Sequence, residues 1–165
     1  MISILGRRQH TQNGYTACGG FRRREENEVA TCSAFTSGEW TVTQTLDTAR
    51  YAHTSWLSPL GLVLIGGHEY ECCHVMNAKL LSTGTILFTF EIPLTKACGI
   101  SLVETVVLTG GTDGFSFSGF MAQAVVYNTS GFVEQLPDLV TPRKNHACGS
   151  YVDSNNQLVR DGFPE

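Results

Sequence analysis

Residues 50–67 read Arg50-Tyr51-Ala52-His53-Thr54-Ser55-Trp56-Leu57-Ser58-Pro59-Leu60-Gly61-Leu62-Val63-Leu64-Ile65-Gly66-Gly67. The two ends of this stretch decide the fold, because both recur. The apolar run Leu62–Ile65 closes on Gly66-Gly67; Tyr15-Thr16-Ala17-Cys18 closes on Gly19-Gly20, and Val106-Val107-Leu108-Thr109 closes on Gly110-Gly111. The gaps between the glycine pairs are 47 and 44 residues, a period of about 45. A strand that ends in a tight reversal needs positive φ or close backbone approach, which residues without a Cβ supply cheaply.

The opening quartet repeats as well. Arg7-x-x-His10, Arg50-x-x-His53 and Arg143-x-x-His146 are spaced by 43 and then 93 residues, so one copy is missing between the last two. Its expected place is Lys96-Ala97-Cys98-Gly99, with Lys for Arg and the His lost; Ala97-Cys98-Gly99 echoes Ala147-Cys148-Gly149. An aromatic residue recurs 21 or 22 positions past the first glycine of each pair, as Trp40, Phe88 and Phe132. Each unit holds about four β-type segments separated by turn residues, and none shows a long helical period. In the third unit the segments are Cys98–Val103, Glu104–Thr109, Ala122–Asn128 and Phe132–Leu136. Four antiparallel strands (a to d) per repeat make a propeller blade.

The combined pattern resembles the kelch repeat: R-x-x-H, apolar strand, Gly-Gly, Val125-Val126-Tyr127-Asn128, Gly38-Glu39-Trp40 or Gly131-Phe132, and Leu136-Pro137-Asp138-Leu139. It covers about residues 7 to 160. Unit two has Phe88 where Trp is usual, and the fourth unit carries Arg160-Asp161-Gly162 where a glycine pair is expected. The fold expected is therefore all-β: a partial kelch-type propeller with blades at about 7–46, 50–93 and 96–139, a partial fourth at 143–160, and an open ring. Kelch-like rings usually close with six or seven blades, so the chain reads as part of a larger propeller, a truncated copy, or half of a self-associating assembly.

Composition excludes several functions. The 165 residues are 42% hydrophobic and 16% charged, which is globular, and 17 glycines exceed the usual ~7% share. Eleven Lys plus Arg against 15 Asp plus Glu give a net charge of −4, the wrong sign for a phosphate backbone. No apolar run approaches the ~20 residues of a membrane helix, and Met1-Ile2-Ser3-Ile4-Leu5-Gly6 lacks the pattern of a signal peptide. The six cysteines are even in number but too sparse for a disulfide-scaffold protein, which leaves the redox compartment open. Asn128-Thr129-Ser130 is a glycan acceptor triplet for a secreted chain, and such triplets also occur by chance.

Nothing in the sequence points to catalysis. G-x-S-x-G, H-E-x-x-H, a Walker loop and a dinucleotide fingerprint are all absent. Cys72-Cys73-His74 offers metal-ligand chemistry, but alternate residues of a strand share a face, so only Cys72 and His74 could meet, without further ligands. His10, His53 and His146 hold one place in the repeat, which favours a structural hydrogen bond made once per blade. Copper oxidases on this type of propeller use a Tyr–Cys cross-link and two His ligands, and no residue here matches them. No metal or cofactor is expected. An oxidase-like or carbohydrate-active enzyme is the rival reading, followed by a truncated product without independent function.

The expected function is a non-catalytic protein-interaction module. In an antiparallel blade the b–c and d–a connections emerge on one face, and loops on a rigid scaffold are where recognition resides. The b–c loops are Phe21–Glu28, His68–Cys73 and Thr112–Met121. Candidate contacts are Arg22, Arg23 and Arg24, balanced by nearby glutamates; His68 and Tyr70; and Asp113, Phe115 and Phe117 of a Phe-rich Gly/Ser loop. Arg50 and Arg143 stand at the starts of their a strands, placed to line the same face and receive a carboxylate. Cys18 and Cys32 flank one hairpin within reach of a disulfide, which would favour an oxidising compartment. Trp40, Phe88 and Phe132 are expected to be buried within or between blades. Apolar surface at 15–18 and around Tyr151, Val152, Leu158 and Val159 is expected to lack a partner, and so to drive self-association.

Overall fold

The computed structural model describes residues 9–11, 14–22, 27–69, 73–113, 119–149, 151–152 and 158–159. Among them every regular element is a strand. The first sheet contains β1 (Gln9–Thr11) and β2 (Gly14–Cys18); a small hairpin of β3 (Phe21–Arg22) and β4 (Asn27–Glu28) follows, and the sheet resumes with β5 (Thr31–Thr36) and β6 (Glu39–Thr45). The second runs β7 (Thr54–Ser58), β8 (Gly61–Ile65), β9 (Asn77–Leu80), β10 (Ile86–Thr89), and the third β11 (Cys98–Ser101), β12 (Thr105–Thr109), β13 (Ala124–Asn128), β14 (Gly131–Leu136). In each, four strands lie side by side in chain order, all antiparallel. β15 (Tyr151–Val152) pairs with β16 (Leu158–Val159) as the start of a fourth unit. This is the architecture of an open, partial propeller.

Why β8 is apolar on both sides is visible in its packing. Val63 and Ile65 join Trp56, Val106 and Leu108 in a core shared with the third sheet, whereas Leu64 faces the other way, onto Cys18, Cys32 and Leu46 of the first. A strand between two blades has no solvent face, so alternation of polar and apolar residues disappears. The innermost strands are tied across units: Thr54 Oγ1 donates to Ala97 O (2.9 Å) and Trp56 Nε1 to Leu102 O (3.0 Å).

The glycine pairs make the junctions. Gly66 and Gly67 have φ of +62° and +103°, and a Cβ on Gly66 would collide with the Leu94 carbonyl oxygen. The second glycine of each pair donates its N–H to the next unit: Gly20 to Arg50 O (2.9 Å), Gly67 to Leu94 O (3.1 Å), Gly111 to Arg143 O (2.8 Å). A second ring runs through three residues with left-handed backbone, Ala52, Lys96 and Asn145; Lys96 N donates to Ala52 O and Asn145 N to Lys96 O.

These contacts correct the alignment of the drifted copy. Leu94, not Lys96, takes the place of Arg50 and Arg143, and Ala97 takes the place of His53 and His146; Lys96 is the counterpart of Ala52. The echo between Ala97-Cys98-Gly99 and Ala147-Cys148-Gly149 is out of step by one residue.

The aromatic repeat also splits. Phe88 is buried and stacks on Tyr127 of the next sheet, centroids 5.2 Å apart and planes at 1°, but Trp40 and Phe132 are 46% and 63% exposed. Trp40 and Phe132 follow two-residue turns and pair with Phe35 and Tyr127. In the second sheet the corresponding turn spans Leu81–Thr85, so Phe88 pairs with Ala78, the place held elsewhere by Gln44 and Leu136. A shorter b–c loop offsets that longer turn, so counting from the glycines matches residues that are not equivalent. Expected exposure at 15–18 holds at Tyr15 (45% exposed), whereas Cys18 is buried; the side chains of 151, 152, 158 and 159 lie outside the description.

Candidate interaction face and interblade cleft

Beyond the second and third glycine pairs the chain makes one more cross-connection. Tyr51 bridges His68, which bridges His74; in the next unit Thr95 bridges Thr112, which bridges Phe120. A d–a connection and a b–c loop are thereby brought onto one face in the second and third blades. On that face Phe21 of the first unit packs on Tyr51 of the second (centroids 5.2 Å), Tyr51 meets His68 edge-on at 5.4 Å, and His68 and His74 bring their Nδ1 atoms to 3.1 Å. That contact needs one ring protonated at Nδ1 and the other with a free lone pair there. Further round, Lys144 Nζ stands 4.4 Å over the ring of Phe120, which is half exposed. The face is aromatic and imidazole-rich, with a cation at one side.

His68 thus falls where the sequence placed it, and Asp113 lies half-buried beside Thr112 in the third loop. Arg143 is exposed, its Nε donating to Thr141 O at 3.1 Å. Arg22 contributes backbone to β3; Arg23, Arg24, Tyr70, Phe115 and Phe117 lie outside the described residues, as does Cys72. Tyr51 and Lys144 were not singled out by the sequence, which named Phe21 only as the start of a loop and His74 only as a possible metal ligand; their ring contacts arise where separate connections of the chain are brought together.

Arg50 needs correction. It is 2% exposed and so offers no surface to a protein partner. It lines a cleft of about 290 Å³ between the first two sheets, with Gln44, Leu46, Asp47, Lys79 and Leu81. One guanidinium nitrogen, Nη1, reaches Gly66 O at 3.4 Å, while Nε has no hydrogen-bond partner. Burial lowers the Arg50 pKa, against the weaker pull of Asp47 and Glu69. At the rim Lys79 holds Asp47 in an ion pair, which lowers the Asp47 pKa.

His53, beneath this arginine, is fully enclosed. Burial, and then the Arg50 charge, push its pKa down to about 4, opposed by a hydrogen bond to the Cys18 backbone. In the later junction His146 Nε2 lies 3.0 Å from Thr109 Oγ1. Both histidines therefore tie back to the residue before a glycine pair, Cys18 or Thr109.

Disulfides join Cys18 to Cys32 across β2 and β5, and Cys98 to Cys148 between the third sheet and the fourth unit. Cys73 is also in a disulfide, so it has no thiolate to offer a metal. Among the described residues no group of three or more His, Cys, Asp or Glu is arranged to hold a metal ion. Among the described residues there is no helix long and apolar enough to cross a membrane.

No protein-family model matches the chain, and no curated protein matches it. Solved structures do, 99 chains in number. One, described as "Structure of YjhT", superposes with a TM-score of 0.66 at 8% sequence identity, over 85% of this chain and 53% of that one. The chain spans about half the length of that structure. The likeness, together with three four-stranded antiparallel sheets that do not close on themselves, defines a propeller-like all-β protein.

Proposed function

We propose that the chain is a kelch-type repeat module that binds a protein partner, without catalysis, through the face formed by its b–c and d–a connections. The observation that carries this reading is the continuous contact Phe21–Tyr51–His68–His74, which joins loops of two units into one aromatic surface on a rigid repeat scaffold. Aromatic residues are enriched at the energetic centres of interfaces. The kelch assignment rests on the spacing of the R-x-x-H, Gly-Gly and V-V-Y-N elements.

Proximity labelling from the intact chain in its native tissue, followed by cross-linking of the purified pair, tests the reading. Cross-links are expected at 21–28, 68–73 and 112–121, and Tyr51→Ala with Phe120→Ala is expected to weaken binding at least tenfold without changing the melting curve. Cross-links confined to the opposite turns at 37–38, 81–85 and 129–130, or binding indifferent to both substitutions, would overturn it. A second copy of the chain recovered as the partner through the open sheet faces would replace a hetero-partner with self-association.

A further inference from the structure

We propose that Asn128 is a glycan acceptor, so that a sugar decorates the face of the propeller opposite the loops; this does not rest on the interaction reading above. The triplet Asn128-Thr129-Ser130 closes the β13–β14 hairpin. Ser130 N donates to Asn128 Oδ1 at 2.8 Å, an Asx turn that folds the third residue of the triplet back onto the amide. The carbonyl oxygen of the side chain is therefore occupied, while Nδ2, the atom that would accept sugar, makes no hydrogen bond to a described residue. Asn128 is half-buried and Ser130 exposed, so the turn stands at the surface.

Two independent features support use of this site. Disulfides Cys18–Cys32 and Cys98–Cys148, with no free cysteine among the described residues, belong to an oxidising compartment, which is also where N-x-S/T triplets meet their transferase. Placement is the other feature. β13 runs from Ala124, opposite Thr109 beside the glycine pair, to Asn128, opposite Thr105 at the far end, so a glycan there leaves the loop face open. In the transfer, Asn128 Nδ2 bonds to the anomeric carbon of an oligosaccharide carried on a lipid diphosphate. The bond from that carbon to the diphosphate oxygen breaks, the diphosphate leaves with the electron pair, and the amide yields one proton to the transferase.

The full chain, directed through the secretory route of insect cells, provides the test. Intact mass is expected to fall on treatment with peptide N-glycosidase, and peptide mapping is expected to find Asp in place of Asn at position 128. Asn128→Gln and Ser130→Ala should lack the glycosidase-sensitive mass, whereas Ser130→Thr should keep it. A secreted, disulfide-bonded wild-type chain whose residue 128 remains unmodified asparagine would overturn the proposal, and this wild-type map decides even where a variant fails to be secreted.

Discussion

Acid should destabilise this protein through His53 well before its carboxylates are protonated. The side chain is enclosed, and burial followed by the neighbouring Arg50 charge brings its pKa from 6.5 to about 4. Between those values the unfolded chain binds a proton that the folded chain refuses, so stability rises with pH across the window and the contribution is complete above about 6.5. Its contribution is about 3 kcal/mol, most of it lost by pH 4 and the rest only below that; at pH 5 the loss is about 2 kcal/mol. With a urea slope of about 2 kcal/mol/M, the unfolding midpoint should fall by roughly 1 M between pH 8 and pH 5. The lowered pKa of Asp47 acts only below the ordinary carboxylate range and leaves this window clear. His53→Gln starts from lower stability, having lost packing, but its midpoint should be nearly flat over the same interval. Urea titrations of both proteins at four pH values measure the difference. A wild-type midpoint that does not move, or a His53→Gln midpoint that falls as steeply, would refute the assignment of a buried neutral imidazole.

Phe88→Ala should cost about 3–5 kcal/mol, as for other buried aromatics, because it removes the stack on Tyr127 that joins two sheets; Phe132→Ala, at an exposed site, should cost less than about 1 kcal/mol. Chemical denaturation followed by fluorescence of the buried Trp56 separates the two. Cys148→Ser releases a link across a separation of 50 residues, worth up to about 4 kcal/mol by loop entropy, and a wild-type midpoint in reductant should fall at least as far. Arg50→Leu removes a buried cation whose Nε lacks a partner, so stability should change by less than about 1 kcal/mol or rise, and the acid loss at His53 should shrink; calorimetry at pH 7 and pH 5 reads both, and a loss above about 3 kcal/mol would show that the guanidinium holds an essential contact.

The strands of the third unit were legible to within two residues, the expected Cys98–Val103 and Ala122–Asn128 each overrunning by two and Glu104–Thr109 and Phe132–Leu136 each differing by one, since the apolar runs are short and bounded by glycine and turn residues. The glycine pairs were equally legible, because positive φ beside a facing carbonyl leaves no other residue type at ease. What escaped was equivalence set by loops. Phe88 kept the expected count while moving along its strand, since changes in two connections nearly cancelled. The left-handed ring at Ala52, Lys96 and Asn145 was invisible because none of the three is glycine, and its hydrogen bonds lie between units. The contacts of Phe21 with Tyr51 and of Lys144 with Phe120 have no spacing signature at all. They follow from which loops the propeller brings together.

The three junctions also explain why some marks of the repeat drift and others stay. At each, the second glycine donates its N–H to a backbone carbonyl, that of Arg50, Leu94 or Arg143, at 2.8 to 3.1 Å. The side chain on the accepting residue takes no part in that bond, so arginine can give way to leucine, and Leu94 duly enters the apolar core. Histidine is lost at the same junction, where Ala97 stands. The coupling has a physical reason: at the first junction Arg50 and His53 are both buried, the arginine charge opposes protonation of the imidazole, and each bears the cost of desolvation. Exchanging both for apolar residues removes two desolvated polar groups at once, and such exchanges are often neutral or stabilising. The glycines have no comparable freedom, since a Cβ on Gly19, Gly66 or Gly110 would enter the very carbonyl that the junction uses. Charge and imidazole are therefore the replaceable part of the motif, and the backbone contact is the part on which the stacking of one blade against the next depends.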